Sequence, residues 1–367
     1  MPATSTKQYT KQDIEAVFSL PLPELIYRAQ TAHRQHHNPS EIQFCTLSSI
    51  KTGACPEDCN YCSQSARYDT GLEVEPLISE TEILTEASAA KANGSTRFCM
   101  GAAWRSAPQG AQFDQVVSVV SKVRDMGLEP CVTLGMLTKE QALRLKDAGL
   151  HSYNHNIDTS PEYYSEIIST RKFEDRIETI TNVQEAGIEV CCGGILGLGE
   201  SHQDHISFLE VLANMEPQPS SVPINVLVPV KGTPQYDRLM EKRNNSNVIA
   251  SEAKRHCEER SDEAIPIQPA NGIATATSSP RNDEFNIEFL IDKFELVRTI
   301  ATARILMPAA RVRLSAGRLS MSEELQALCF VAGANSIHTG AKLLTTANPG
   351  DTADHSLVER LGMQILN

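Results

Sequence analysis

Short apolar runs alternate with longer amphipathic ones along most of this chain, and glycine punctuates the alternation. Strand-like runs fall at 42–50, 95–101, 129–135, 151–158, 188–194, 221–229, 310–317 and 335–340. Helix-like runs at 79–94, 113–127, 138–149, 173–187 and 289–307 separate most of them. The first four end in Gly94, Gly127, Gly149 and Gly187, and glycine most readily takes the left-handed turn of a helix stop. A short turn then leads into the next strand. Eight such units predict an α/β fold, a closed TIM-type (β/α)8 barrel with parallel strands, with an open doubly wound sheet as the competing arrangement.

The barrel is expected over 41–350. Residues 1–40 precede it as an N-terminal helical extension, and 351–367 follow as a short C-terminal tail. One stretch interrupts the rhythm. Residues 240–286 are polar, rich in Ser, Asn and Ala, and aperiodic. Their text resembles translated bacterial palindromic repeat elements. They are read as a disordered, tolerated surface insertion, with a functional lid as the alternative. His256 and Cys257 lie within it and are assigned no chemistry.

Bulk properties narrow the function. A net charge of −13 argues against nucleic acid or an anionic membrane as the main partner. No apolar run approaches the roughly 20 residues of a membrane span. The first residues lack the apolar core of a secretory signal, so a cytoplasmic, reducing location is expected, where structural disulfides are rare. The ten cysteines then have to be packing residues or thiolate ligands.

Three of them stand in "CPEDCNYC", residues 55–62, with the spacing C-x3-C-x2-C. The segment follows the first strand, which puts it at the C-terminal mouth of a barrel, where active sites lie. Structural zinc takes four protein ligands. After Cys62 the next cysteine is Cys99 and the next histidine is His151. Cys55, Cys59 and Cys62 on a cubane cluster would leave one iron open for a small molecule; a zinc knob completed by a distant residue is the competing reading. With Tyr61 just before the last cysteine, the segment resembles the radical S-adenosylmethionine superfamily. That resemblance implies a 4Fe–4S cluster, S-adenosyl-L-methionine on its open iron, and a 5′-deoxyadenosyl radical that takes hydrogen from an unactivated carbon.

Cys99, Cys131 and Cys191 fall at mid-strand positions, and "RVR" at 311–313 places alternating cations on the seventh strand. Alternate strand residues face the lumen. A single buried cysteine is ordinarily packing, but three with a lumen-facing arginine suggest a ligand set, because a buried guanidinium needs an anionic partner. The strings "LSSIKTGACPEDCNYCSQSARY", "GSTRFCMGAAWR", "YNHNIDTSPEYY", "GGILGLGE", "SVPINVLVPVKGTP", "VRLSAGR" and "AGANSIHTGAKLLTT" resemble the biotin synthase family over nearly the whole chain outside the insertion. The resemblance implies a 2Fe–2S cluster on Cys99, Cys131, Cys191 and Arg313, with Cys191 preferred over its neighbour Cys192. Arg97 and Arg171 are expected to balance cluster charge. Cys45 and Cys329 carry no motif support and are read as packing residues.

The same resemblance implies conversion of dethiobiotin to biotin, the last step of its biosynthesis, with the 2Fe–2S cluster as the sulfur donor. Tyr61, Asn156, Asp158 and Arg176 match positions that bind S-adenosyl-L-methionine, and Asn156 and Asn225 match positions that bind the substrate's ureido ring. Asn225 as a strand-end cap, and His155 as a packed or hydrogen-bonded histidine, are the plainer roles. The glycine-rich 197–200 segment is expected near the adenosyl pocket, and Ser336, Thr345 and Thr346 near the substrate's carboxylate tail. No acid–base residue is expected, since the cofactors carry the chemistry. Implied partners are a flavodoxin or ferredoxin-type electron donor, the iron–sulfur assembly machinery and a second copy in a homodimer. A radical enzyme of the same superfamily without sulfur insertion, and a non-enzymatic iron–sulfur or zinc scaffold, are the competing functions.

Overall fold

The computed structural model describes residues 8–245 and 285–366. Eight parallel strand positions close into a barrel: β1 (Glu41–Lys51), β2 (Arg97–Ala102), β3 (Glu129–Thr133), β4 (Ser152–Asn154), the two pieces β5 (Glu189–Cys191) and β6 (Gly194–Leu196), then β7 (Ser221–Val226), β8 (Arg311–Leu314) and β9 (Ser336–Thr339). Pairing of Gln43 with Ser336 and Phe44 with Ile337 joins the last strand to the first. The TIM-type barrel expected from the rhythm is therefore the fold.

The period-two pattern sorts the residues. Ile42, Phe44, Phe98, Met100, Val132, Val190, Val222, Val312 and Ile337 point to the helices and form one apolar layer with them. The alternate residues point inward, and here they are polar or thiol-bearing: Gln43, Cys45, Arg97, Cys99, Glu129 and Cys131 on the first three strands, Arg313 and Ser336 on the last two. TIM-type lumens are ordinarily packed with branched aliphatics. This lumen is built to hold something.

Helix boundaries follow local chemistry. Ser79 with Glu82, Thr138 with Gln141 and Ser201 with Asp204 form capping boxes. Gly94, Gly127, Gly149 and Gly187 take φ of 89°, 80°, 90° and 72° just past their helices, as the stop reading requires. Before the barrel, helices Lys11–Phe18 and Leu22–His36 pack on its outer helices, among them Lys293–Leu306.

Three local readings need correction. The run 151–158 is a strand only to Asn154; beyond it His155, Asn156 and Asp158 follow an irregular path, so strict alternation of faces ends there. The run 188–194 breaks at Cys192–Gly193, where β7 presses in: a Cβ on Gly193 would stand 1.9 Å from Pro223 O. The run 289–307 is a helical turn Ile287–Leu290, then a helix restarted by Asp292, whose Oδ1 accepts from Phe294 N and Glu295 N. Of the expected insertion, 240–245 continue a helix begun at 234, and Phe285 is buried against Tyr236. Residues 246–284, with His256 and Cys257, lie outside the described residues.

Candidate active site

The C-terminal ends of the strands open into a cavity of about 330 Å³. Cys55, Cys59 and Cys62 line its mouth side, and Cys99, Cys131, Cys191 and Arg313 line the same cavity from the strands.

The mouth trio rides on a loop that leaves β1 through Gly53 and Ala54, with φ of 71° and 53°. A left-handed alanine costs about 1–2 kcal/mol, and a dense set of hydrogen bonds offsets it. Cys55 N donates to Gln64 O (2.9 Å) and Ala66 N to Cys55 O (2.7 Å). Asn60 N donates to Ile167 O (2.8 Å), and Asn60 Nδ2 to Glu166 O (3.0 Å). Asp58 Oδ1 accepts from Ser169 N (2.9 Å) and Thr170 N (3.0 Å). Burial raises the Asp58 carboxyl, but these bonds outweigh it and bring its pKa down to about 2. Buried Glu57 faces Arg105 Nη1 at 3.1 Å and Arg171 Nε at 3.9 Å. The sequence reading missed Glu57, Asp58 and Arg105 because their partners lie far away in the chain.

Burial pushes the thiols up, to about 12 for Cys59 and about 11 for Cys62. A metal must therefore displace their protons. Among the described residues no three His, Cys, Asp or Glu side chains converge on a single-ion position.

Deeper in, Cys99 and Cys131 are register partners, as are Asn154 and Cys191. Cys191 Sγ accepts from Asn154 Nδ2 at 3.3 Å and from Arg313 Nη1 at 3.6 Å. Arg313, fully buried, also donates from Nε to Ser336 Oγ (2.9 Å) and from Nη2 to Gln43 Oε1 (3.4 Å). None of these partners is a carboxylate. Burying an unpaired charge costs several kcal/mol, so an anionic group beside this guanidinium would be favoured. Arg97 is bound by Glu129 Oε2 at 2.8 Å, yet its Nη1 is buried without a hydrogen-bond partner. Arg171 Nε is likewise buried without one. An anionic iron–sulfur group facing three thiols and surplus guanidinium donors fits this chemistry. Cys192 turns the other way, into the apolar layer, as does Cys329. Cys45 is fully buried outside that layer, on the inward face of β1, and is not among the residues that line the cavity. Its shared parity with Gln43 along β1 was the available signal.

The irregular segment after β4 lines the cavity with Asn154, His155, Asn156 and Asp158. His155 is buried with Nε2 unpartnered, and burial holds its pKa well below the usual histidine value. Asp158, at φ 67°, accepts from Arg176 Nη2 at 2.5 Å. Arg176 Nε donates to Tyr164 Oη at 2.9 Å, while Nη1 makes no hydrogen bond among the described residues. Burial works against the Arg176 charge and Asp158 for it; the net effect raises its pKa. Asn156 Oδ1 accepts from Gly193 N (3.1 Å) and Asn154 Nδ2 (3.2 Å). Asn225 donates to Gly194 O (2.9 Å) and accepts from Ala316 N (3.0 Å), so it bridges strand ends as well as lining the cavity. Tyr61, Thr345 and Thr346 line it too; Thr345 Oγ1 meets Ser63 Oγ at 2.7 Å, which ties the short antiparallel pair Lys342–Leu343 and Thr346–Ala347 to the cysteine loop. Ser336 lies deeper, bonded to Arg313. Gly197 and Glu200 line a separate small cavity beside His202 and His205, where Glu200 Oε1 accepts from Gly197 N at 2.7 Å.

Comparison with known proteins places these features. The Radical SAM superfamily description matches residues 49–212, and the Biotin and Thiamin Synthesis associated domain matches 266–364. A biotin synthase of Synechococcus sp. (strain JA-3-3Ab) is 50% identical over 353 residues, covering 96% of this chain and 98% of that protein. A biotin synthase of Legionella pneumophila (strain Corby) is 50% identical over 357 residues, covering 97% of each. Methylornithine synthase (PylB) shares the fold, with a TM-score of 0.69 at 16% identity over 98% of this chain and 95% of that one.

Proposed function

The chain belongs to the biotin synthase family of radical S-adenosylmethionine enzymes, and on that premise we propose that its cavity converts dethiobiotin to biotin by inserting sulfur. Cys55, Cys59 and Cys62 would hold a 4Fe–4S cluster, and Cys99, Cys131, Cys191 and Arg313 a 2Fe–2S cluster. When bound, the first supplies the electron that cleaves S-adenosyl-L-methionine, and the second is a substrate that supplies the sulfur.

The chain's own residues do the positioning. Arg176, fixed by Asp158 and Tyr164, keeps Nη1 free for the carboxylate of S-adenosyl-L-methionine. Asp158 spends one oxygen on Arg176 and keeps the other to accept from a ribose hydroxyl, as an ionised carboxylate can. Tyr61 presents its ring beside the trio. Asn156 Nδ2 and the remaining hydrogen of Asn225 Nδ2 offer donors to a cyclic urea carbonyl. Arg97 and Arg171 supply counter-charge. Walls of Leu47, Ala102, Val226 and Leu343 exclude water, which protects a radical and holds reactants at contact distance.

The observation that carries this reading is the single lumen lined by both thiol sets, with a buried arginine that has no carboxylate partner. A flavodoxin or ferredoxin-type protein would supply electrons, iron–sulfur assembly proteins would load the clusters, and a homodimer is the proposed assembly. Anaerobic reconstitution, followed by assay with reductant, S-adenosyl-L-methionine and dethiobiotin, should yield 5′-deoxyadenosine and biotin together. Deoxyadenosine without biotin would contradict sulfur insertion and favour another radical reaction.

A further inference from the structure

The buried cysteines of the strands and helices fall into two sets by what they pack against. Cys192 and Cys329 belong to the apolar layer between strands and helices. Cys45, Cys99, Cys131 and Cys191 are just as buried, yet none belongs to it. Three of these four are the proposed ligands of the deep cluster; Cys45 is the fourth.

Cys45 lies on β1 in register with Arg97 of β2 and His338 of β9, both inward positions. Its Sγ stands 3.5 Å from Ser336 Oγ, and the same hydroxyl accepts from Arg313 Nε at 2.9 Å. Thiol and guanidinium thus share one partner. A second observation concerns Arg97: it is 3% exposed, and its Nη1 has no hydrogen-bond partner. A buried cationic donor with an unused N–H, in register with a thiol, favours the thiolate form beside it.

We propose that Cys45 is a reserve thiolate ligand for the deep cluster, able to take the place of Arg313 on iron. This rests on the reading of Cys99, Cys131, Cys191 and Arg313 as its ligands. In the exchange the iron–nitrogen bond to Arg313 breaks and an iron–sulfur bond to Cys45 forms. The Cys45 proton ends on the released guanidine, which becomes a guanidinium, and Ser336 Oγ lies between the two. No electron moves and net charge is conserved.

The test is anaerobic reconstitution of the full chain as wild type, C45S, R313A and R313A/C45S, with iron and sulfide counts, visible absorption and resonance Raman. C45S should match wild type. R313A should keep the two-iron cluster with a spectrum shifted to an all-thiolate pattern, and R313A/C45S should lose it while keeping the mouth cluster, which shows an intact barrel. Equal two-iron content and equal spectra in R313A and the double variant would overturn the proposal, as would loss of that cluster in R313A alone. A wild-type chain that never takes up the two-iron cluster would instead overturn the ligand reading beneath it.

Discussion

The thiols at the mouth and the thiols in the lumen are held by different physics. Cys55, Cys59 and Cys62 sit on one loop, strained at Ala54 and tied by Asp58 and Asn60 to residues 166–170. Cys99, Cys131 and Cys191 sit on three separate strands, placed by ladder register and buried by the closed barrel. The loop's geometry rests on a dense set of backbone and side-chain bonds, many of them to residues 166–170. A barrel wall is stiffer, since moving one strand residue disturbs pairings on both sides. This contrast suits a resident catalyst at the mouth and a deep reagent shielded from water.

The largest expected effect separates the two sets by chemistry. Cys59→Ala should lower reductive cleavage of S-adenosyl-L-methionine by more than the roughly 100-fold typical of changes behind a ligand, and abolish biotin formation. Cys191→Ala should abolish biotin formation while cleavage continues. Assay of deoxyadenosine and biotin side by side checks this; equal loss of cleavage in both variants would remove the distinction.

Next comes Asp158→Asn. It leaves Arg176 as a buried charge without its carboxylate, at a cost of about 3–5 kcal/mol. Urea unfolding should show that loss, and the KM for S-adenosyl-L-methionine should rise with it.

Acid should affect the mouth through Asp58. Its folded pKa of about 2 lies below the roughly 3.9 of an unfolded aspartate. The stability it contributes is present above the unfolded value and lost as pH falls through the folded one. Between pH 5 and pH 2, wild type should lose on the order of 1–2 kcal/mol more than Asp58→Asn, after discounting for partial exposure. Urea titrations at the two pH values measure the difference.

The smallest effect belongs to the neighbour that faces away. Cys192→Ala should cost about 1 kcal/mol for lost packing and leave biotin formation unchanged. Loss of product in this variant but not in Cys191→Ala would reverse the assignment.

The two sets also differed in how legible they were. The mouth trio is local in sequence, so spacing alone revealed it, and glycine stops revealed the barrel. The lumen set is legible only once register is known, which is why a resemblance had to supply Arg313. No motif surrounds Cys45, so its inward position emerges only from pairing with Arg97 and His338. The early end of β4 was hidden as well, because the chain after Asn154 turns to donate from Ile157 N and Asp158 N to Gly193 O, a contact no local pattern announces. Asp58 and Glu57 draw their importance from residues between 48 and 114 positions away, a distance no window spans.

Two triple variants decide whether the barrel holds two independent clusters. After anaerobic reconstitution, the Cys55/Cys59/Cys62→Ala chain should retain only two-iron spectra, and the Cys99/Cys131/Cys191→Ala chain only four-iron spectra, each with matching iron and sulfide counts. A chain that loses both signals with either triple, or keeps both, would contradict it.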